Sequence, residues 1–441
     1  MSNTAEKAAA AETSSNDLVI VDEVPYQQYV YKDTSNDQDK TYTIRGLLND
    51  DEIHQWSKFC ESIFAYKSNP PSSSYFERHY YNDPNGPKYG PSLIRVAIDN
   101  DTQEIVASCR VFVRDLSKGR NTFGPEVVRA GGIGEVCTSD QHRKRGLSKV
   151  LLLDCIRLMK TNQLNLQVSL LHAAPTFFPV YEKAGGYQNT TSEWSSVQVS
   201  YNDEIVPTHI PDHEKYTVRV AQFPDDTEQL QTSHWTYSVR SCPGCIIRSE
   251  EYWNTYISKE LENSLFVLTY DNEYIGKFLV AWLSIRQRGE NTYQVREFGC
   301  YRYVEDGKVV LETDLAMEYL FPHAMHHLLH TPEQKESSSA TCTLILPTFV
   351  LEEMKKGSVT SFSNNNKKQK LNENESSSQQ KQNQQRFNVD WSTVKTENDL
   401  GWMYLSLTDD DETNEWLDTI LVDKKKTISR RPHLIWPSDS F

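Results

Sequence analysis

No stretch of the 441 residues approaches the roughly 18 to 20 consecutive apolar residues that a membrane helix needs, so no helical membrane span is expected. Cysteine is sparse and scattered. The eight thiols show no framework spacing, which argues against a disulfide-stapled scaffold and suits a reducing cytoplasm. Cys242-Pro-Gly-Cys245 has no second C-x-x-C to complete four zinc ligands, so it reads as a turn with two thiols and no metal is expected. Positive charge is also short. Lys and Arg number 46 against 61 Asp and Glu, a net charge of -15. A nucleic-acid binder carries a large basic surface, so no nucleic-acid partner is expected. An acidic field instead favours the approach of cationic small molecules such as amines. The opening MSNTAEKAAAAETSSND lacks a basic start followed by an apolar core; it reads as a disordered leader over residues 1–17, not as a signal peptide.

What is present is a patterned, folded chain. From residue 18 to about 200, short apolar runs alternate with helical ones. Asn49-Asp50-Asp51-Glu52 reads as a helix start, and Ile53, Trp56, Phe59, Cys60 and Ile63 recur at helical spacing. A segment rich in Pro, Ser, Asn and aromatics follows over 68–84 and reads as a loop or a short helix within one. Leu93–Ile98 and Ile105–Val113 read as strands joined by a DNDTQE turn, Ile133–Cys137 as another, Leu147–Met159 as an apolar helix, Gln167–Leu171 as a strand, 175–184 as a helix and Glu193–Val199 as a last strand. The pattern predicts an α+β (or α/β) domain over 18–200 with a mixed central sheet. A polar, proline-bearing linker spans 201–215. Residues 216–441 predict a second α+β domain whose order of strands and helix echoes the first as a degenerate repeat. It is interrupted at 358–388 by a polar low-complexity insertion that cannot bury a core.

The stretch GGIGEVCTSDQHRKRGLSKVLLLDCIRLMK, residues 131–160, carries the chemistry. An apolar strand ends near Cys137, a polar turn leads to Arg143-Lys144-Arg145-Gly146-Leu147-Ser148, and a helix starts at once. A helix N-terminus presents unpaired N–H groups and partial positive charge to a phosphate. Gly146 permits a close backbone approach or a positive φ, and arginine binds phosphate in bidentate fashion.

This segment resembles motif A of the GNAT acetyltransferases, in which R/Q-x-x-G-x-G/A binds the pyrophosphate of acetyl-CoA. Arg143, Gly146 and Ser148 occupy the pattern, Ser148 standing where the family has Gly or Ala. Downstream, QVSLLHA and then PTFFPVYEKAGGY are similar to the family's strand and Y-E-K-x-G-F ending, with one residue more between Tyr181 and Tyr187. Within the superfamily the chain looks like the Eis type and like the fungal lysine N6-acetyltransferases of lysine catabolism; the 64–84 segment and the long C-terminal half suggest the latter.

The resemblance implies roles. Backbone groups of Val136, Cys137 and Thr138 would hold the pantetheine and acetyl carbonyl, and those of Arg143, Lys144, Arg145, Gly146, Leu147 and Ser148 the pyrophosphate. Tyr181 would protonate the departing thiolate. Two groups compete as the base: Glu135, on the strand before the cofactor loop, and the terminal carboxylate of Phe441, which in Eis-type enzymes reaches the active site. Tyr75, Phe76, His79, Tyr80 and Asp83 would line the amine pocket, since aromatic faces and a carboxylate suit an ammonium. The implied activity is transfer of acetyl from acetyl-CoA to a small amine, free L-lysine first. Its rivals are a protein lysine or N-terminal acetyltransferase and a non-catalytic acyl-CoA-binding protein. The C-terminal half would shape the acceptor pocket or a homo-oligomer interface.

Overall fold

Strand β4, Ile105–Ser117, and strand β5, Val127–Thr138, form the longest ladder of the first sheet, and the rest of the fold is arranged around what happens where that ladder ends. The computed structural model describes residues 26–32, 39–66, 70–119, 126–202, 210, 212–301, 304–305, 308–309, 312–329, 339–357, 386–421 and 433–439. The expected leader (1–17), most of the linker and residues 358–385 of the insertion lie outside these, as does Phe441.

Ahead of that ladder come β1 (Gln27–Tyr31), β2 (Lys40–Gly46), α1 (Asp50–Phe64), α2 (Ser73–Tyr81), α3 (Asn85–Tyr89) and β3 (Ile94–Asp99). After it come α4 (Leu147–Met159), β6 (Val168–His172), α5 (Phe178–Gly185) and β7 (Gln188–Asn189). Helix α1 starts where the sequence says: the Asn49 side chain accepts the Glu52 N–H at 3.1 Å, and three acidic residues fill the first turn. Its buried face, Ile53, Trp56 and Cys60, packs with Phe76 and Tyr80 of α2 against Ile94, Val96 and Cys137 of the sheet. The other face of the sheet carries α4, whose Leu147, Leu151, Leu152, Cys155, Leu158 and Met159 are buried.

The C-terminal half repeats this order. Beyond β8 (Trp194–Asn202) lie β9 (Tyr216–Val220), α6 (Thr227–His234), α7 (Glu250–Tyr252) running through a π-helical turn (Trp253–Ile257) into α8 (Ser258–Glu260), then β10 (Leu265–Asn272), β11 (Gly276–Gly289) and β12 (Thr292–Cys300). A short hairpin, β13 (Val304–Glu305) and β14 (Lys308–Val309), leads to α9 (Thr313–Leu329) and β15 (Ser339–Pro347). A helix over 348–357, α10, is followed by β16 (Phe387–Thr396), β17 (Trp402–Ser406) and α11 (Asp411–Ile420).

The first sheet has the order β1-β2-β3-β4-β5-β6-β17-β7 and the second β16-β8-β15-β12-β11-β10-β9. In each, an antiparallel meander is followed by a helix and then a strand parallel to the last of the meander: β6 beside β5 in the first, β15 beside β12 in the second. The halves also exchange strands. β17 pairs with β6 in the first sheet, and β8 pairs with β15 and β16 in the second. The segment 433–439 is pinned between them. Arg248, fully buried, donates to Asp439 at 2.7 and 3.0 Å and to Glu297 at 2.7 Å, and lies 4.6 Å from the Trp253 ring.

Candidate active site

Strand β5 pairs in parallel with β6 only from Ala130↔Val168 to Ile133↔Leu171. Beyond Ile133 the two strands part, while β5 stays paired with β4 through Thr138. A register shift on the β4 side places Glu135 in the left-handed region at φ +53°, a costly conformation for a residue with a Cβ and one that persists only where the surroundings impose it. Backbone groups of Gly134–Thr138 thereby border a cleft that widens between β5 and β6.

Helix α4 begins at the mouth of this cleft. Gly146 is its N-cap at φ +81°, and a Cβ there would lie 2.9 Å from the Tyr29 hydroxyl, so both backbone angle and space demand glycine. The turn before it is braced from behind. The Tyr29 hydroxyl donates to the Arg145 carbonyl at 2.7 Å, the Arg145 guanidinium donates to the Tyr42 hydroxyl at 2.6 Å, and Thr138 and Ser148 hydroxyls bond at 3.0 Å. Of the three cations, Arg145 is committed to this bracing. Arg143 and Lys144 stay exposed, Arg143 pairing with Asp140 at 2.6 Å. The first helical N–H groups, with Leu147 buried and Ser148 at the turn, suit a pyrophosphate.

A cavity of about 890 Å³ opens off the β5–β6 cleft, lined by Glu135, Val136, Tyr181, Tyr75, His79 and His172 among others. Phe76 also touches it. Glu135, its side chain 7% exposed, faces Arg110 of β4 at 3.5 Å, and its Oε2 has no hydrogen-bond partner. Burial raises the Glu135 carboxyl to about 7; Arg110 opposes the rise and Asp83 adds to it. Tyr181 sits on α5 with its ring edge-on to Tyr187 at 6.2 Å, and burial pushes its phenol up to about 12. It is therefore protonated at neutral pH. The rings of Tyr75 and His79, four apart on α2, pack tilted with centroids 4.0 Å apart. Burial holds the His79 imidazole below its usual value against the pull of Glu260.

Two expected pocket residues stand behind the wall. Asp83 is buried and accepts a 2.8 Å bond from Arg114, so its charge is spent on a guanidinium of β4 and does not face an acceptor. Tyr80 is buried in the α1–α2 core beneath the Arg110 guanidinium. Cys137 is likewise a buried core residue. Residues that sequence reasoning missed are Arg110, His172, Asp399, Arg78 and Glu260. Arg110 and Arg114 had a signal, two cations four apart in an otherwise apolar strand. His172, whose Nε2 lies 2.9 Å from Asp399, and Glu260, 3.4 Å from His79, depend on the C-terminal half folding back, which no local pattern reveals. Among the described residues no three of His, Cys, Asp and Glu gather as a metal site. Cys242 and Cys245 are buried thiols. No described helix is long and apolar enough to cross a membrane.

A strand pair that splays after a bulge, a glycine-capped helix at the opening, and a buried carboxyl and a tyrosine on one cavity are thus brought together at one end of the first sheet. Residues 44–189 match the family model described as an acetyltransferase (GNAT) domain. The chain is thus an acyltransferase with a GNAT acetyltransferase domain, the class that draws its acyl group from acyl-CoA, and a further region beyond that domain. No curated protein sequence matches it. Among solved structures it is similar to a conserved protein of Enterococcus faecalis (10% identity over 83% of this chain and 72% of that one, TM-score 0.48). It is also similar to a GCN5-related N-acetyltransferase of Anabaena variabilis (12%, 83% and 73%, 0.47) and to Eis1 of Mycobacterium abscessus (12%, 69% and 65%, 0.40).

Proposed function

We propose that the protein transfers the acetyl group of acetyl-CoA directly to the amine of a small molecule, with the side-chain amine of free L-lysine as the first candidate. The observation that carries this is the placement of Glu135 and Tyr181 on one cavity, beside the open edge of β5. A neutral amine nitrogen attacks the thioester carbonyl carbon; the C–N bond forms and the C–S bond breaks. Glu135, titrating near neutrality, takes the proton the amine must lose, directly or through a water. The Tyr181 phenol supplies a proton to the thiolate and recovers one from solvent after release. Backbone N–H groups at Val136 and Cys137 stabilise the charge that develops on the carbonyl oxygen. The exposed turn Arg143–Ser148, with Gly146 at its end, takes the pyrophosphate.

A small acceptor is favoured over a protein chain because the cavity wall on the α2 side is backed by the C-terminal half. Glu260 reaches His79, and Tyr256 lies edge-on to the same ring at 5.4 Å. A reducing compartment suits eight cysteines that are all buried and none disulfide-bonded, and we place the activity in the cytoplasm. The test is thiol release from acetyl-CoA with L-lysine, L-ornithine, polyamines, an aminoglycoside and a basic peptide. Release with a small amine supports the reading. Release with the peptide alone moves the protein to the protein-acetylating class, and tight acetyl-CoA binding without release on any acceptor leaves a binding protein.

A further inference from the structure

Three guanidinium groups gather about one carboxylate behind the α2 side of the cavity, and one of them, Arg78, lines it. Arg296 of β12 bonds Glu260 at 2.5 Å, and Arg78 of α2, which lines the cavity, lies 3.5 Å from the same carboxylate. Glu260 is shared further with His79. Arg286 of β11 finds only a neutral partner, the Gln294 side-chain oxygen, at 3.1 and 2.8 Å. Buried Nε of Arg296 has no hydrogen-bond partner. The group therefore holds an excess of two positive charges, three arginines less one glutamate, beside a wall formed by Tyr75. Burial, together with the neighbouring charges of Arg288 and Arg296, lowers the Arg286 guanidinium to about 10, and burial with the charges of Glu260 and Glu135 raises the Tyr75 phenol to about 12 while Arg78 and Arg296 oppose the rise. Like charges gathered near a low-dielectric cavity repel one another, and an anion bound among them relieves that repulsion.

Arg78 is placed to receive such an anion. Its side chain is 43% exposed, and its contact with Glu260 is long, so most of its five donors remain available. The turn that suits the pyrophosphate of acetyl-CoA, Arg143–Ser148, belongs to the other end of the cleft and does not line this cavity. Arg78, the member of the group that lines the cavity, is therefore the one that would face the acceptor. The negative group on the same cavity, Glu135, lies on β5.

We propose that the acceptor is an amino acid bearing a free carboxylate as well as the reacting amine, and that Arg78, backed by Arg286 and Arg296, holds that carboxylate while the amine points to Glu135. This rests on the transferase reading of the site and narrows it. Polyamines and diamines present only cations to the arginines. The side chain of an internal lysine in a protein has no free carboxylate nearby.

The test compares matched acceptors on the intact enzyme. L-lysine is set against L-lysine amide and 1,5-diaminopentane, and L-ornithine against its amide and 1,4-diaminobutane, by kcat/KM at fixed acetyl-CoA. One bidentate charge-assisted contact predicts a preference of roughly 10- to 100-fold for the carboxylate-bearing member of a set. Raised salt should reduce it, and in Arg78→Gln the ratio should collapse toward one. Acetyl-CoA binding and thermal melting of the variant confirm that it is folded. Wild-type enzyme that uses the amide and the diamine as well as the amino acid overturns the carboxylate site and leaves the transferase reading standing. If no acceptor releases thiol, the transferase reading fails. Calorimetric titration of the CoA-saturated protein then decides the carboxylate site alone. Binding of an amino acid but not its diamine, lost in Arg78→Gln, supports it, and equal or absent binding of both overturns it.

Discussion

The Arg110 guanidinium stands 3.5 Å from the Glu135 carboxyl, and yet burial prevails and leaves that carboxyl near 7. Arg110 is divided among several partners. It also donates to the His79 carbonyl at 3.2 Å and lies 3.9 Å from Asp83. An arginine given wholly to Glu135 would keep it ionised and a poor proton acceptor. Divided, it anchors the side chain and leaves Oε2 without a partner in the cavity.

A base must be deprotonated to act, so kcat/KM should rise with pH and level off above an inflection near 7. Glu135→Gln should lose that inflection and about 10²- to 10⁴-fold in rate. Stability carries the same sign information. A carboxyl whose folded pKa lies above its unfolded value holds its proton more tightly when folded. Its contribution to stability is complete below the unfolded value near 4.5 and is lost as pH rises through about 7. Melting of the wild type relative to Glu135→Gln should therefore worsen from pH 4.5 to pH 8. An unchanged difference across that range would contradict the assignment.

Tyr181→Phe removes only a hydroxyl from a ring packed against the α4 side of the sheet. Rate should fall by about 10²-fold or more, while acetyl-CoA affinity and melting temperature stay within error. An acceptor-independent loss of cofactor binding would make Tyr181 a packing residue instead.

Gly146→Ala forces a Cβ into a left-handed position 2.9 Å from the Tyr29 hydroxyl. Displacing Tyr29 frees the Arg145 carbonyl that it holds. The KM for acetyl-CoA should rise at least about tenfold, with stability falling by roughly 1 kcal/mol. The KM for the acceptor should change little. A reversed pattern would place the nucleotide elsewhere.

Arg248→Met leaves the carboxylates of Glu297 and Asp439 buried without their cation. Breaking a buried pair in this way costs about 3–5 kcal/mol, so the variant should melt many degrees lower. The segment 433–439 should also become open to proteolysis. A variant that melts like the wild type would show that this cluster does not hold the segment 433–439 in place.

Much of the first domain was legible because its signals are local. The helix Leu147–Met159 has the bounds its apolar pattern implies, and Asn49 caps α1 through its own side chain. The glycine-capped start of α4 could be read because strand, glycine and helix follow one another in sequence. Strand ends were less legible. β5 begins at Val127, six residues before the apolar run at Ile133 that announced it, because its first residues alternate buried and exposed. The acceptor side was poorly legible for a different reason. Tyr75 and His79 sit together on one helix face, but Asp83 was claimed by Arg114, and several of the charges around Tyr75 come from α8, β11 and β12 of the C-terminal half. Pairings across some 180 residues leave no periodicity to find. The exchange of β17 and β8 between sheets is invisible for the same reason.

The central claim is direct acetyl transfer to a small amine, and the most direct measurement is product mass and thiol release together. Purified protein would be incubated with acetyl-CoA and each acceptor in turn, with the wild type and Tyr181→Phe side by side. The account predicts one equivalent of thiol for each acetylated small amine and a large loss of both in the variant. Thiol release without an acetylated amine, or with acetylation found only on a peptide, would contradict it.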